Sequence, residues 1–342
     1  MNRPRALARG VAAVLVTALA LAGCSLRQLA VSSLADALAG GGAVYASDDD
    51  PELVRDALPF ALKTLESLLV EAPAHRGLLL ATARGFTQYA YAFVDTDAFL
   101  LEGSDHRRAA ALRRRARGLY LRGRDYGLRG LELAHHGIGQ ALLTDARAAV
   151  APVEAEEVGL LFWTAAGWGG AISMAKDDPA LVADFPAVKA MLARALELDA
   201  GFEGGTLHET MIALESLPAV MGGSVERARW HFARAVELGG GRRPGPYVAL
   251  AVGVALPAQD RAEFERLLGQ ALALDPDAEP SQRLATLITQ RRARALLARA
   301  GDLFLDDVPA DEPGEGSDGD GPSARRSRDG GELPASAAGA GA

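Results

Sequence analysis

The chain has 342 residues, of which 49% are hydrophobic, a formal net charge of −8 and one cysteine. Residues 1–23 hold three arginines and no acids, so their removal would change the charge to −11. An acidic chain without a basic domain excludes nucleic acid as a partner, since phosphate binding needs clustered Lys and Arg. One cysteine excludes an intramolecular disulfide and a cysteine-based zinc site.

The first segment, residues 1–23, has the parts of an export signal in their usual order. Three arginines within the first nine residues precede an apolar run over residues 11–21, and Ala22 and Gly23 lead to Cys24. The run is shorter than the ~20 apolar residues of a membrane-spanning helix. The sequence Leu-Ala-Gly-Cys that ends at Cys24 resembles the lipobox of bacterial lipoproteins. This resemblance implies cleavage before Cys24 and acylation of its thiol, with palmitate as a typical acyl group.

The lipobox interpretation assigns residues 24–50 to a lipidated N-terminus, a tether and the first helix. Ser25, rather than Asp, follows the cysteine. In Gram-negative lipoproteins this implies sorting to the outer membrane, with the protein facing the periplasm. The alternative is a plain secreted protein whose cysteine lies near the cleavage site by chance.

The body of the chain, residues 51–305, is rich in Ala, Leu, Arg and Glu, and alternation of β-branched residues is almost absent. These are strong helix formers, so the body is predicted to be all-α. Residues 306–342 are instead dense in Gly, Asp, Glu, Ser, Pro and Ala. Such a composition cannot bury enough apolar surface to offset the entropy of ordering, and it predicts a disordered acidic tail.

A cationic segment over residues 105–125 carries eight arginines. Arg113, Arg114 and Arg117 form the centre of a candidate patch for an anionic partner or for phospholipid headgroups near the tether. The alternative is a solvated face whose arginines pair with acids of the same chain. A run of charges is more often of this second kind.

The segment over residues 159–179 interleaves Phe162, Trp163 and Trp168 with glycines. Glycine in a helix costs up to about 1 kcal/mol relative to Ala, so its presence indicates close backbone approach or room left for a ligand. The three aromatic residues are therefore candidates for lining an apolar ligand channel. Ordinary core packing is the alternative.

Three later helix endings share a pattern: an apolar residue, two spacers, Ala, then apolar-x-Leu, with Asp or Gly at the end. The equivalent residues Ala195, Ala235 and Ala271 are 40 and 36 residues apart. This spacing predicts degenerate tetratricopeptide-like helix pairs. Long, irregular linkers favour a compact α-solenoid of about four such pairs over a regular superhelix. A helical bundle without repeats is the alternative.

No catalytic constellation is present: the chain has no G-x-S-x-G, H-E-x-x-H or P-loop motif. The six histidines are scattered, and adjacent residues such as His135 and His136 point about 100° apart on a helix. His208 and Glu209 are interpreted as a packing or capping pair. We therefore predict no enzymatic activity, no metal site and no cofactor.

Several motifs in order carry a resemblance to a known family. They are the lipobox cysteine, the opening over residues 26–38, Leu-Leu-Phe-Trp at residues 160–163 with Trp-Gly-Gly at residues 168–170, the run over residues 186–213, and the segment over residues 217–246 with its Gly-Gly-Ser and Trp-His-Phe motifs. Together they resemble the T-component associated with tripartite ATP-independent periplasmic (TRAP) transporters. The resemblance covers most of residues 25–304.

This resemblance implies a periplasmic lipoprotein with cryptic tetratricopeptide-like repeats. It also implies a homotrimer with a pore or cavity through each protomer, association with the periplasmic solute-binding P-component, and the handling of small hydrophobic ligands. It implies no enzymatic activity. The arginine-rich segment and the acidic tail have no place in the family pattern.

The leading hypothesis is accordingly a lipid-anchored protein of the cell envelope that binds and scaffolds for a TRAP-type solute uptake system. The alternative is a tetratricopeptide scaffold lipoprotein for envelope protein assembly, with no small ligand. An envelope enzyme is a third class, and no nucleophile–base pair or metal constellation supports it.

Overall fold

A computed structural model describes residues 42–305, and every regular element in that part of the chain is a helix. The predicted all-α class is therefore confirmed. The predicted signal peptide, Cys24 and the predicted acidic tail lie outside the described residues. The helices are α1 (Gly42–Ala46), α2 (Pro51–Glu71), α3 (Arg76–Tyr89), α4 (Thr96–Leu101), α5 (His106–Glu132), α6 (Ile138–Thr144), α7 (Ala146–Val150), α8 (Val158–Ser173), α9 (Pro179–Val182), α10 (Phe185–Leu198), α11 (Phe202–Glu215), α12 (Val225–Leu238), α13 (Gly245–Leu250), α14 (Arg261–Leu272), α15 (Arg283–Ala298) and α16 (Ala300–Leu303).

Two helices continue as π-helical turns, Ala90–Asp95 after α3 and Ala251–Ala255 after α13. Short 3-10 turns connect other helices, at Ala155–Glu157, Ala219–Met221, Pro276–Ala278 and Pro280–Gln282. A π-helical turn inserts one residue into the helical repeat, so it shifts which side chains share a face.

Polar side chains cap the helix starts. The carboxylate of Asp50 accepts hydrogen bonds from the backbone N–H groups of Glu52 and Leu53, and Pro51 occupies the first position of α2. Such caps satisfy donors that no earlier turn of the helix can reach. The same role falls to a set of Asp and Ser residues elsewhere: Asp105, Asp145, Asp178, Ser224 and Asp260.

The helix ends follow the predicted stop signals. Helix α12 ends at Leu238, and Gly240 and Gly241 then take left-handed φ values of 59° and 70°. Helix α14 ends at Leu272, shortly before the pair Asp275-Pro276. Glycine adopts the left-handed conformation without a Cβ penalty, and proline cannot continue a helix.

Consecutive helices pack against each other along the chain. Helix α2 contacts α3, α10 contacts α11, α11 contacts α12, and α14 contacts α15, while the most extensive contact is between α5 and α8. A large apolar cluster lies mainly among α2 to α10 and includes Leu207 of α11 and Ile288 of α15, and a second lies among α11 to α16. The three alanines of the predicted repeat pattern are fully buried at these contacts: Ala195, Ala235 and Ala271.

The last long helix returns to the first ones. Helix α15 packs against α1, α2 and α4. Arg283 donates to the carbonyl oxygen of Ser47 (Nη1 to O, 3.0 Å), and Arg291 lies 3.4 Å from the carboxylate of Glu52. The two ends of the helical array are thus joined by contacts.

Within residues 42–305, no helix combines the length and the apolar character that crossing a bilayer would require.

Candidate functional site

The aromatic residues of the candidate ligand channel lie on α8 and are buried. The ring of Phe162 meets that of Trp163 edge to face, with centroids 4.9 Å apart, and lies 5.5 Å from the ring of Phe202. The exposed guanidinium of Arg84 lies over the indole of Trp163, 5.3 Å from its centroid. Phe162 and Trp163 therefore pack in the core, with a cation over the indole.

Trp168, the third residue of this set, is bound on two sides. Its indole Nε1–H donates to the carboxylate of Asp184 at 3.1 Å. The guanidinium of Arg124 lies over its ring, 5.0 Å from the centroid. A buried Trp whose N–H has a partner is a stable arrangement.

The glycines around these aromatic residues lie where α5 crosses α8. A Cβ added at Gly127 would lie 2.0 Å from the Oγ1 atom of Thr164, and one at Gly170 would lie 2.6 Å from the ring of Tyr120. Atoms of the neighbouring helix thus fill the space beside these glycines. Of the two interpretations of the glycines, close backbone approach applies at these positions.

The candidate anionic-partner patch on α5 is partly neutralised. Arg113 pairs with Glu102 (Nη1 to Oε1, 2.8 Å), and Arg117 pairs with Asp178 (Nη2 to Oδ2, 2.5 Å). Arg114 is exposed and has no ion-pair partner in the described part of the chain. Two of the three predicted cations are therefore engaged within the protein.

Further along α5, Arg122 pairs with Glu66, a buried carboxylate on α2. Glu66 also accepts from Lys63 at 2.6 Å and from the Tyr126 hydroxyl at 2.8 Å. Burial acts to raise the pKa of Glu66, but these three donors outweigh it, so the pKa lies below its usual value. Four arginines of the segment have no ion-pair partner among residues 42–305: Arg107, Arg108, Arg114 and Arg115.

The adjacent histidines that follow α5 do not converge on one point. The Nε2 atom of His135 lies 2.7 Å from the carboxylate of Glu157, whereas His136 is exposed. In the described part of the chain, no group of three or more His, Cys, Asp or Glu side chains is arranged to hold a metal ion.

A pair of buried histidines joins α11 to α12, and sequence reasoning missed it. The Nδ1 atoms of His208 and His231 are 2.9 Å apart, so one donates its proton to the other. The ring of Trp230 meets both imidazoles edge to face, at 5.5 and 4.8 Å. Burial lowers the pKa of both histidines, and that of His231 falls to about 4 because the neighbouring His208 also disfavours its charge.

Glu209, interpreted from the sequence as part of a packing or capping pair with His208, accepts a hydrogen bond from Arg243 (Nη2 to Oε2, 3.0 Å). The same guanidinium donates to the carbonyl oxygens of Glu203 at 2.8 Å and Gly204 at 3.0 Å. Residues 203–205 have left-handed φ values, which break the helical path of α11 near its start. Burial raises the pKa of Glu209, and Arg243 opposes part of that rise.

A second polar cluster, also missed, joins α15 to the π-helical turn after α3. Arg292 donates to the hydroxyl of Thr96 at 3.1 Å and lies 3.7 Å from Asp95, which accepts from the hydroxyl of Tyr120 at 3.0 Å. The guanidinium also lies 4.9 Å from the ring centroid of Tyr91. Desolvation raises the pKa of Tyr120 well above its usual value, and Asp95 adds to that rise.

The connection from α11 to α12 presents apolar side chains to solvent. Val220 is 94% exposed and Trp230 is 55% exposed, and Met221 and Val225 are also exposed. We call these four residues the α11–α12 edge. Contiguous exposed apolar patches mark interaction sites on protein surfaces, and Trp and Met are enriched in interfaces.

Backbone geometry holds this connection in place. Gly222 has a φ of 87°, and a Cβ at Gly223 would lie 1.8 Å from the carbonyl oxygen of Leu217. The hydroxyl of Ser224 accepts from the N–H of Arg227 at the start of α12. The Gly-Gly-Ser motif found in the sequence is thus a tight turn followed by a helix cap.

A second set of exposed apolar residues follows the outer face of α2. Phe60 is 80% exposed, and Leu53 and Val70 are also exposed. Leu53 and Phe60 are seven residues apart, which is two helical turns, so they lie on one face.

Comparison with known proteins gives two findings. The sequence profile of the TRAP transporter T-component family matches residues 47–304. A protein of Treponema pallidum (strain Nichols), described as an uncharacterized protein, is 33% identical over 304 residues, which cover 83% of this chain and 94% of that protein.

Proposed function

Because this chain belongs to the TRAP transporter T-component family, we propose that it docks the periplasmic solute-binding protein of a TRAP-type uptake system. The family is one of transport accessory components rather than enzymes, and membership suggests a place in the cell envelope. The docking role, the lipid anchor and the orientation toward the periplasm go beyond family membership and are parts of this proposal.

We propose that the second half of the body consists of three degenerate tetratricopeptide-like helix pairs, α10 with α11, α12 with α13, and α14 with α15. The buried alanines Ala195, Ala235 and Ala271 each lie on the first helix of a pair. A small residue at that position permits close packing of the next helix, as stacked helix pairs require. Surfaces of such arrays commonly bind peptides or proteins.

The observation that carries the docking proposal is the α11–α12 edge. It combines a nearly fully exposed Val220 with an exposed Met221 and Trp230. Trp and Met are enriched in protein interfaces, and buried aromatic anchors supply much of the binding free energy. Arg227 and Arg229 on the same helix are partly exposed and supply a polar rim.

We test this by measuring the binding of the full mature chain to the solute-binding protein encoded nearest to it. Val220→Asp should weaken binding about tenfold or more, because it places a charge in a desolvated apolar contact. The substitution leaves the fold intact, since Val220 packs against almost nothing in the free protein.

Val44→Asp is the matched control, because Val44 is likewise a highly exposed valine, at 71%, but lies on α1. It should leave this affinity unchanged. Equal loss in both variants, or none in Val220→Asp, would place the docking surface elsewhere. No binding of the unaltered chain to any TRAP solute-binding protein would refute the docking role and favour the envelope assembly scaffold.

The lipid anchor at Cys24, placement in the outer membrane and the homotrimer are further parts of the proposal. The order of charged, apolar and small residues before Cys24 supports the anchor. The exposed apolar face of α2, with Leu53 and Phe60, offers a surface for self-association.

Passage of a small hydrophobic ligand through a protomer pore rests on the family resemblance alone. Phe162, Trp163 and Trp168 remain its candidate residues. Of these, Trp163 keeps the largest accessible fraction, 8%, and faces the exposed Arg84. That side of α8 is where we place the proposed contact with ligand.

A further inference from the structure

A small pocket lies between α2, the end of α3 with its π-helical turn, and α5. Its volume is about 210 Å³. Drug-sized ligand sites are typically ~300–1,000 Å³, so this pocket selects a smaller molecule. Its lining comprises Arg55, Asp56, Pro59, Tyr89, Phe93, Val94, Asp97, Leu112 and Arg115.

The floor of the pocket is apolar and rigid. Tyr89, Phe93 and Val94 are all buried, and the rings of Tyr89 and Phe93 lie 5.5 Å apart. In the π-helical turn over Ala90–Asp95, backbone hydrogen bonds join residues five apart rather than four apart. Phe93 and Val94 therefore both lie on the same face as Tyr89. π-Helical turns of this kind are frequent at functional sites.

The charges that line the pocket separate into a neutralised pair and two free groups. Arg55 binds Asp97 through two hydrogen bonds of 2.7 and 2.8 Å, and its guanidinium lies over the ring of Phe93. This bidentate pair neutralises both charges, and Glu52 places a second carboxylate 3.2 Å from the Nε atom of Arg55. Asp56 and Arg115, by contrast, are exposed and have no ion-pair partner among the described residues.

The free cation is held over the aromatic floor. The guanidinium of Arg115 lies 6.0 Å from the ring centroid of Tyr89. This contact limits the positions of a side chain that has no acid to pair with. A guanidinium that has no acid partner and lies beside an apolar floor is suited to bind a carboxylate through two hydrogen bonds.

The free anion, Asp56, lies on α2 close in sequence to a proline inside that helix. Pro59 is inside α2 and has no N–H, so it cannot donate to the carbonyl oxygen of Arg55 four residues earlier. Arg55, Asp56 and Pro59 all line the pocket. The Asp56 carboxylate is an acceptor, as an ammonium group requires.

We infer that this pocket binds a small zwitterion with an apolar side chain, of the class of the apolar α-amino acids. Arg115 takes the carboxylate, Asp56 takes the ammonium group, and the side chain lies on Tyr89, Phe93 and Val94. One unpaired cation and one unpaired anion match a ligand that carries one of each. The site lies on helices other than those of the α11–α12 edge, so the inference does not depend on the docking proposal.

The first measurement is calorimetric titration of the full chain with L-leucine, with isocaproate, which lacks its amino group, and with isoamylamine, which lacks its carboxylate. Leucine should bind more tightly than either analogue, by about tenfold to hundredfold, as expected for loss of a charged hydrogen bond. Binding of isocaproate as tight as that of leucine would overturn the zwitterion assignment. No heat with leucine at millimolar concentration would overturn the site itself.

Variants then assign the two charges. Arg115→Gln should weaken leucine binding about tenfold or more and remove the advantage of leucine over isoamylamine. Asp56→Asn should weaken it likewise and remove the advantage over isocaproate. Both residues are exposed, so these variants fold, which thermal unfolding verifies.

The matched controls are Arg107→Gln and Asp49→Asn. Each makes the same change of charge at an exposed residue that does not line the pocket. They should leave leucine affinity unchanged. An equal loss of affinity in the control and test variants would show that net charge alone affects leucine binding, and it would overturn the inference. Leu112→Trp, which fills the pocket without a change of charge, should abolish binding, and full binding in that variant would also overturn it.

Discussion

At the scale of single residues, the contact between His208 and His231 is a pH-sensitive feature of the protein. Their Nδ1 atoms are 2.9 Å apart, so only one proton fits between them. Burial lowers the pKa of both imidazoles, and the pKa of His231 reaches about 4. Arg227 and Arg234 add to this effect from α12, while Glu215 opposes it. The folded state therefore favours the neutral pair.

The sign of the resulting pH dependence follows from proton uptake. A histidine in the unfolded chain has a pKa of about 6.5. Between pH 6.5 and about 4 the unfolded chain therefore binds protons that the folded histidine pair does not bind. The stability contributed by the neutral pair is complete above pH 6.5 and is lost as the pH falls toward 4. The loss at His231 amounts to about 2–3 kcal/mol of unfolding free energy.

We therefore predict that His231→Gln flattens the fall of unfolding free energy between pH 7 and pH 4 by about that amount, as measured by urea denaturation at each pH. Gln does not titrate and still offers a hydrogen-bond partner to His208. His136→Gln, at an exposed histidine, should follow the unaltered protein. An identical pH profile for His231→Gln would show that the pair does not control stability.

At the scale of elements, the crossing of α5 over α8 depends on glycine. Gly123, Gly127 and Gly130 recur at spacings of four and three residues, so they form one face of α5. A Cβ at Gly127 would lie only 3.2 Å from the Cα atom of Thr164, so the two backbones are in direct contact. A neighbouring backbone cannot yield as a flexible side chain can, and added volume there strains the crossing.

Gly127→Ala should accordingly lower the unfolding free energy by about 1–3 kcal/mol, although Ala is the better helix former by ~1 kcal/mol. Gly118→Ala is the control, since Gly118 lies on the same helix with no atom within 4 Å of its added Cβ. That variant should be stabilised by up to about 1 kcal/mol. If chemical denaturation finds the two variants equally stable, Gly127 is not needed for close approach of the two backbones.

At the scale of the whole molecule, contacts join the last long helix to the first ones. Arg292 on α15 reaches Asp95 and Thr96 and lies over the rings of Tyr91 and Phe99. Desolvation acts to lower the pKa of Arg292, but the nearby Tyr91 and Asp95 outweigh it, so the pKa lies above its usual value. The guanidinium thus stays charged where the two ends of the array meet.

Arg292→Met should destabilise the protein by about 3–5 kcal/mol, because it leaves the buried carboxylate of Asp95 without its cation. The double variant with Asp95→Asn should recover part of that loss. Arg291→Met, at the more exposed neighbour, should cost less than about 1 kcal/mol. Equal losses at Arg291 and Arg292 in denaturant titrations would mean that closure of the array does not depend on the buried pair.

The sequence by itself determined the all-α class, and the Asp and Ser helix caps and the glycine and proline stops that the structure shows are local features of the same kind. These depend on residues within one turn of each other, so local pattern carries the information. It also indicated the family, through motifs that keep their order along the chain. The Gly-Gly-Ser motif at residues 222–224 is one such local signal, and it forms the turn before α12.

Only the tertiary structure decided which polar groups meet. His208 and His231, Asp95 and Arg292, and Arg117 and Asp178 are brought together by helix packing rather than by proximity in sequence. A run of arginines looks uniform in the sequence, because charge alone does not say which guanidinium has an acid opposite. The packing of α5 against its neighbours neutralised Arg113 and Arg117 and left Arg115 free at the pocket. Non-local contacts of this kind set both the stability and the candidate sites of the protein.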